Sequence, residues 1–78
     1  MSQNPLRNIR ISTFRDFLEY CGCKCLRTTG GHELWGKNGL NRPITFQTHV
    51  DPIPEHIVKN ALRTLGMTAN DYVEFLKS

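Results

Sequence analysis

The chain reads as an α+β domain: a three-stranded antiparallel sheet with helices laid on one face and a short extra helix at the C-terminal end. Three observations predict this. Apolar residues recur at helical spacing within 12–21 and again within 57–65. Between those stretches lie three short segments of strand character, separated by glycine-containing turns. No internal repeat, low-complexity tract or long linker divides the 78 residues, so one domain over 12–78 is expected, preceded by a basic, flexible extension over 1–11.

In the first helix Phe14, Phe17, Leu18 and Cys21 form the apolar face, and Arg15, Asp16 and Glu19 lie opposite. Ser12 is a suitable N-cap and Gly22 a suitable stop. The strands are expected over 23–28, 33–37 and 43–50. In the third, Ile44, Phe46 and Thr48 alternate with Thr45, Gln47 and His49, the pattern of a sheet packed on one face and wet on the other. The turn signals Thr29-Gly30-Gly31 and Lys37-Asn38-Gly39-Leu40-Asn41 make a meander the economical connection. Asp51-Pro52-Ile53-Pro54 then forms a stiff bridge, with Pro54 suited to a helix's first turn.

Ile57, Val58, Ala61, Leu62 and Leu65 mark the apolar stripe of the second helix, and Glu55, His56, Lys59, Asn60 and Arg63 face away. Gly66 ends it. Thr68 caps a last short helix through a box with Asp71, and Tyr72, Val73 and Leu76 supply its inward face. Both main helices thus have one apolar face for the same side of the sheet.

A chain of this length buries only about 60% of its unfolded surface, which leaves no room for a large cofactor, and none is expected. Ten Lys and Arg against seven Asp and Glu give a formal charge of +3, a lean toward polyanionic partners. No apolar run is long enough to span a bilayer, and 1–10 lacks the hydrophobic centre of a signal peptide, so no membrane partner and a cytoplasmic location are expected. Cys21, Cys23 and Cys25 alternate in one short run. They lack the second pair a zinc site requires, so they are read as reduced thiols acting as small core hydrophobes, with no metal site.

The residue with most chemical promise is His32. It follows the Gly30-Gly31 turn and precedes Glu33-Leu34-Trp35, and imidazole accepts and donates protons near neutral pH. The competing reading is a solvated turn residue. His49, at the end of the third strand, is a possible second acid or base, or a polar residue on a wet sheet face. His56, in a helix's first turn, reads as solvated. Trp35 either stacks on a base or belongs to a core or an interface.

The order α-β-β-β-α-α is that of double-stranded-RNA-binding domains. The run from Gly22 to His32 resembles, without gaps, the segment of HicA-type toxins that passes from the first helix through an arginine to Gly-Ser-His. Asn38-Gly39, Thr48-His49-Val50 and the helix from Ile57 to Gly66 match further parts of that family, so the resemblance covers about Ser12 to Leu76. Two departures stand out: Gly31 replaces the family's serine, and Cys23 replaces an aromatic.

The resemblance implies the toxin of a type II toxin–antitoxin module: a metal-free endoribonuclease that cleaves messenger RNA and is inhibited by a HicB-type antitoxin. Its catalytic residue would be His32. Lys24, Arg27, Lys37 and Arg42, with the backbone at Gly30 and Gly31, would bind RNA. The alternative is a non-catalytic RNA-binding module of the same topology.

Overall fold

The computed structural model describes residues 4–78, so the first three residues of the expected extension lie outside the described residues. The order is α1 (Ile11–Tyr20), β1 (Lys24–Thr29), β2 (His32–Gly36), β3 (Ile44–Gln47), α2 (Glu55–Leu65) and α3 (Ala69–Lys77). The strands form one antiparallel sheet in the order β1-β2-β3. This is the small α+β architecture that the periodicity predicts, with strand ends shifted by a residue at β1 and β2 and by more at β3.

Alternation along the strands sets the two faces. In β3 Ile44 and Phe46 are buried while Thr45 and Gln47 are exposed. Register places Ile44 beside Trp35 and Phe46 beside Glu33, so these four point toward the helices. Over them lie Phe14, Phe17 and Leu18 of α1, Val58, Ala61 and Leu62 of α2, and Tyr72 of α3, all buried. Trp35, 4% exposed, belongs to this core, which decides between its two readings. β1 extends beyond the helical cover: every one of its residues is exposed, and a bulge interrupts its pairing between Cys25 and Arg27.

Residues 4–11 are not a loose extension. Leu6, Ile9 and Ile11 are core residues, at 4%, 3% and 6% exposure. Ile9 forms a bridge with Ile53, whose N–H donates to the Ile9 carbonyl at 2.8 Å. α1 begins at Ile11 rather than at Ser12, because its first N–H is satisfied by a distant side chain: Asp51 Oδ1 accepts from Ile11 N at 3.2 Å and from Arg10 Nε at 3.1 Å. Three aliphatics scattered among polar residues show no period, so only the distant segment around Asp51 and Ile53 reveals them.

The last helix follows its capping box as expected: Thr68 Oγ1 accepts from Asp71 N at 3.2 Å, and Asp71 Oδ2 accepts from Thr68 N at 2.7 Å. Its inward face differs. Tyr72 is buried, but Leu76 is 53% exposed. Phe75 turns inward instead, drawn by Phe17 and Tyr20 of α1, with ring centroids 5.3 and 5.1 Å away. The cysteines also divide. Cys23 is buried in the core, burial pushes the half-buried Cys21 thiol up to about 11, and Cys25 is exposed on β1 rather than in the core.

One carboxylate is buried, which the strand pattern does not predict. Glu33, 7% exposed, faces the helices and accepts from Trp35 Nε1 at 2.9 Å and from Arg15 Nε at 3.1 Å, with the other Arg15 nitrogen on its second oxygen. Arg15 therefore turns toward the sheet rather than away from it. Its hydrogen bonds hold the Glu33 carboxyl below the usual carboxylate range, against burial, which acts the other way. A carboxyl lowered in the folded state contributes stability above its unfolded range, and loses it as pH falls through the folded value. Glu33→Gln is expected to cost about 1–2 kcal/mol at neutral pH, allowing for the partly exposed Arg15, and to unfold with less dependence on acid. Urea melts at descending pH check this; a variant that tracks the parent at every pH would show that the pair contributes nothing.

Candidate active site

Between β1 and β2 the chain reverses on two glycines. Gly30 and Gly31 have φ of +52° and +84°, the left-handed pair that a two-residue hairpin requires and that side chains resist. The turn delivers His32 as the first residue of β2, registered against Thr29 on one side and Gln47 on the other. Thr48 fastens the turn from beyond β3, its N–H and hydroxyl both donating to the Gly31 carbonyl, at 2.8 and 3.1 Å. An exposed imidazole thus stands on backbone held from both neighbouring strands. A side chain at position 31 would have to adopt the φ of +84° seen at Gly31, which accounts for glycine on this backbone.

A cavity of about 290 Å³ opens beside His32, and His56 from the first turn of α2 lines it too. Thr45, Gln47, Ile53, Pro54 and Ile57 are among its other walls, and no carboxylate contributes. The nearby Glu55 is engaged elsewhere: it pairs with Lys59 Nζ at 2.9 Å and Arg7 Nε at 3.2 Å, and hydrogen bonds from Lys59, Asn4 and Arg7 lower its carboxyl to about 2. His49 sits differently. It lies in the turn after β3 with its ring over Gly31, Nδ1 3.5 Å from where a Cβ would stand, and it does not line the cavity. The sequence nominates His49 as the second acid or base; the fold brings His56 to His32.

The expected cations scatter. Arg27 shares the open face of the sheet with His32, because its register partner Leu34 lies two residues along β2. Lys24 stands opposite Gly36, at the far end of β2 and about 13 Å along the strand from His32. Lys37 reaches back to the end of α1, its Nζ donating to the Cys21 carbonyl at 2.7 Å. Arg42 precedes β3 and lines a second cavity, of about 490 Å³, together with Arg63 of α2. In the sequence Arg63 reads as one more charge on a solvated helix face; only the packing of α2 against β3 gives it Arg42 as a neighbour. Among the described residues, no group of three or more His, Cys, Asp or Glu side chains is arranged to hold a metal ion, and no helix is long and apolar enough to cross a membrane.

In comparisons with protein families, curated proteins and solved structures, nothing matches this chain.

Proposed function

We propose that this chain is a metal-independent endoribonuclease of the HicA type, the toxin of a type II toxin–antitoxin module, with messenger RNA as substrate. The observation that carries the reading is the exposed His32, held rigidly at the end of a glycine hairpin and sharing a carboxylate-free cavity with His56. RNA supplies its own nucleophile. His32 takes the proton from a 2′-hydroxyl, the 2′-oxygen attacks the adjacent phosphorus, and the bond from phosphorus to the 5′-oxygen breaks. The leaving oxygen takes its proton from His56, which must enter the step as imidazolium. The products are a 2′,3′-cyclic phosphate and a 5′-hydroxyl, and reversal of the proton transfers with water opens the cyclic ester.

The α-β-β-β-α order supports a double-stranded-RNA-binding-domain-like ancestry. A purely RNA-binding module is the weaker reading, because such modules track phosphates with lysines at the start of the helix that follows the sheet, where α2 of this chain has only His56 and Lys59. Lys59 is already paired with Glu55. A HicB-type antitoxin would be the inhibitory partner, and a gene for a small HicB-like protein beside this one would support that part.

Digestion of a single-stranded RNA in the presence of EDTA tests the mechanism. Cleavage is expected to persist, to leave cyclic phosphate ends, and to stop at any position given a 2′-deoxy sugar. Activity lost on chelation, or scission of the deoxy linkage, would overturn the 2′-hydroxyl mechanism.

A further inference from the structure

β3 is one of the two outer strands of the sheet, and α2 packs beside it. The two cavities adjoin there, since Thr45 and Ile57 line both. They form one furrow, with Arg42 and Arg63 at one end and His32 and His56 at the other. From Arg42 to Gln47 is five residue steps, about 16 Å along an extended chain, long enough for several nucleotides.

The chemistry of the furrow is one-sided. Neither half is lined by an aspartate or glutamate, although the chain has seven. Arg7, Arg10, Arg15, Lys59 and Lys77 are neutralised by carboxylate partners. Arg42 and Arg63 have no such partner among the described residues. Two guanidinium groups in a trough without negative charge suit phosphates, which arginine grips through paired N–H donors. Asn41 and Asn60 in the arginine half, and Gln47 in the histidine half, add amides able to donate to and accept from base edges.

We infer that this furrow is the binding track for a single RNA strand, which enters between Arg42 and Arg63 and runs along β3 toward His32 and His56. The cleaving end of the track rests on the ribonuclease reading above; the gripping end does not. A path from His32 across the open face toward β1, with Arg27 and Lys24, is the rival. A protein strand added to the free edge of β3 is the rival occupant.

Fluorescence anisotropy of a labelled single-stranded oligoribonucleotide, with 2′-O-methyl sugars so that it cannot be cut, separates these cases in a salt titration. Arg42→Ala and Arg63→Ala are each expected to weaken binding and to flatten the log–log salt slope by about 0.7, one phosphate contact's worth. Lys77→Ala, on α3 outside the furrow, should match the parent, and a duplex of the same sequence should bind more weakly. Hydrogen exchange should show the amides of β3 slowed by the oligonucleotide. If the parent cleaves RNA but both arginine variants keep its affinity and slope, the track is overturned while the ribonuclease reading stands. Affinity lost instead in Arg27→Ala, with β3 unprotected, would move the path to the open face and equally overturn it. Protection of β3 by a protein partner but never by RNA would assign the edge to that partner and reject the proposal.

Discussion

His32→Ala is expected to slow RNA cleavage about 10²- to 10⁴-fold, the range associated with a positioned proton acceptor, while leaving the thermal unfolding transition close to that of the parent. The second half follows from the geometry. His32 is exposed, and its β2 backbone is held by pairing with Thr29 and Gln47, not by its ring. Substitutions at exposed sites without special contacts usually change stability by no more than about 0.5 kcal/mol. The measurement is cleavage of one messenger RNA by each histidine variant, with circular dichroism melts alongside. His56→Ala should lose activity on the same scale, and His49→Ala should keep most of it, because only His56 shares the cavity with His32. Loss in His49→Ala with activity retained in His56→Ala would transfer the acid role to His49. A His32→Ala protein that cleaves at the parent's rate would end the catalytic assignment, and one that melts far below the parent would make His32 a structural residue.

Phe17→Ala is expected to have the largest effect on stability. Phe17 is fully buried and joins α1 to α3, its ring meeting Tyr72 edge-on at 5.1 Å and Phe75 at 5.3 Å. Truncating a buried phenylalanine costs about 3–5 kcal/mol, and a core in a chain this short rarely supplies more than about 3–5 kcal/mol in all. Most of the variant should therefore be unfolded at 25 °C, with α3 released. Leu76→Ala, one residue beyond Phe75 but 53% exposed, is the comparison and should unfold like the parent to within about 0.5 kcal/mol. A Phe17→Ala chain that still unfolds cooperatively within about 1 kcal/mol of the parent would mean that the aromatic cluster refills the space.

What the sequence made legible was local. The two glycines before His32 predict a hairpin because the turn needs left-handed backbone there, and the Thr68–Asp71 box marks a helix start within four residues. The alternation of Ile44 and Phe46 with Thr45 and Gln47 assigns both faces of β3 without reference to any partner. The features it hid depend on which distant segments meet. Leu6 and Ile9 become core only through Ile53, and Arg15 becomes a partner only once Glu33 is buried beneath α1. The preference for Phe75 over Leu76 is set by the aromatic rings of a different helix. His56 is exposed, as its place in the first turn of α2 predicts, but its own helix says nothing about the strand edge across from it, so the cavity it shares with His32 has no signature in the spacing of residues.

The bulged outer strand also bears on how the free chain behaves in a crowded solution. β1 has six consecutive exposed residues and an unpaired margin, the kind of surface on which a second copy can add a strand and begin aggregation. Lys24 and Arg27 stand on that margin, and the irregularity between Cys25 and Arg27 breaks its straight row of donors and acceptors. Two copies brought together there would press like charges against each other over a register that does not repeat. These cations therefore act as gatekeepers against self-association, whatever else they touch, and replacing both with Val or Thr would trade solubility for a sticky edge.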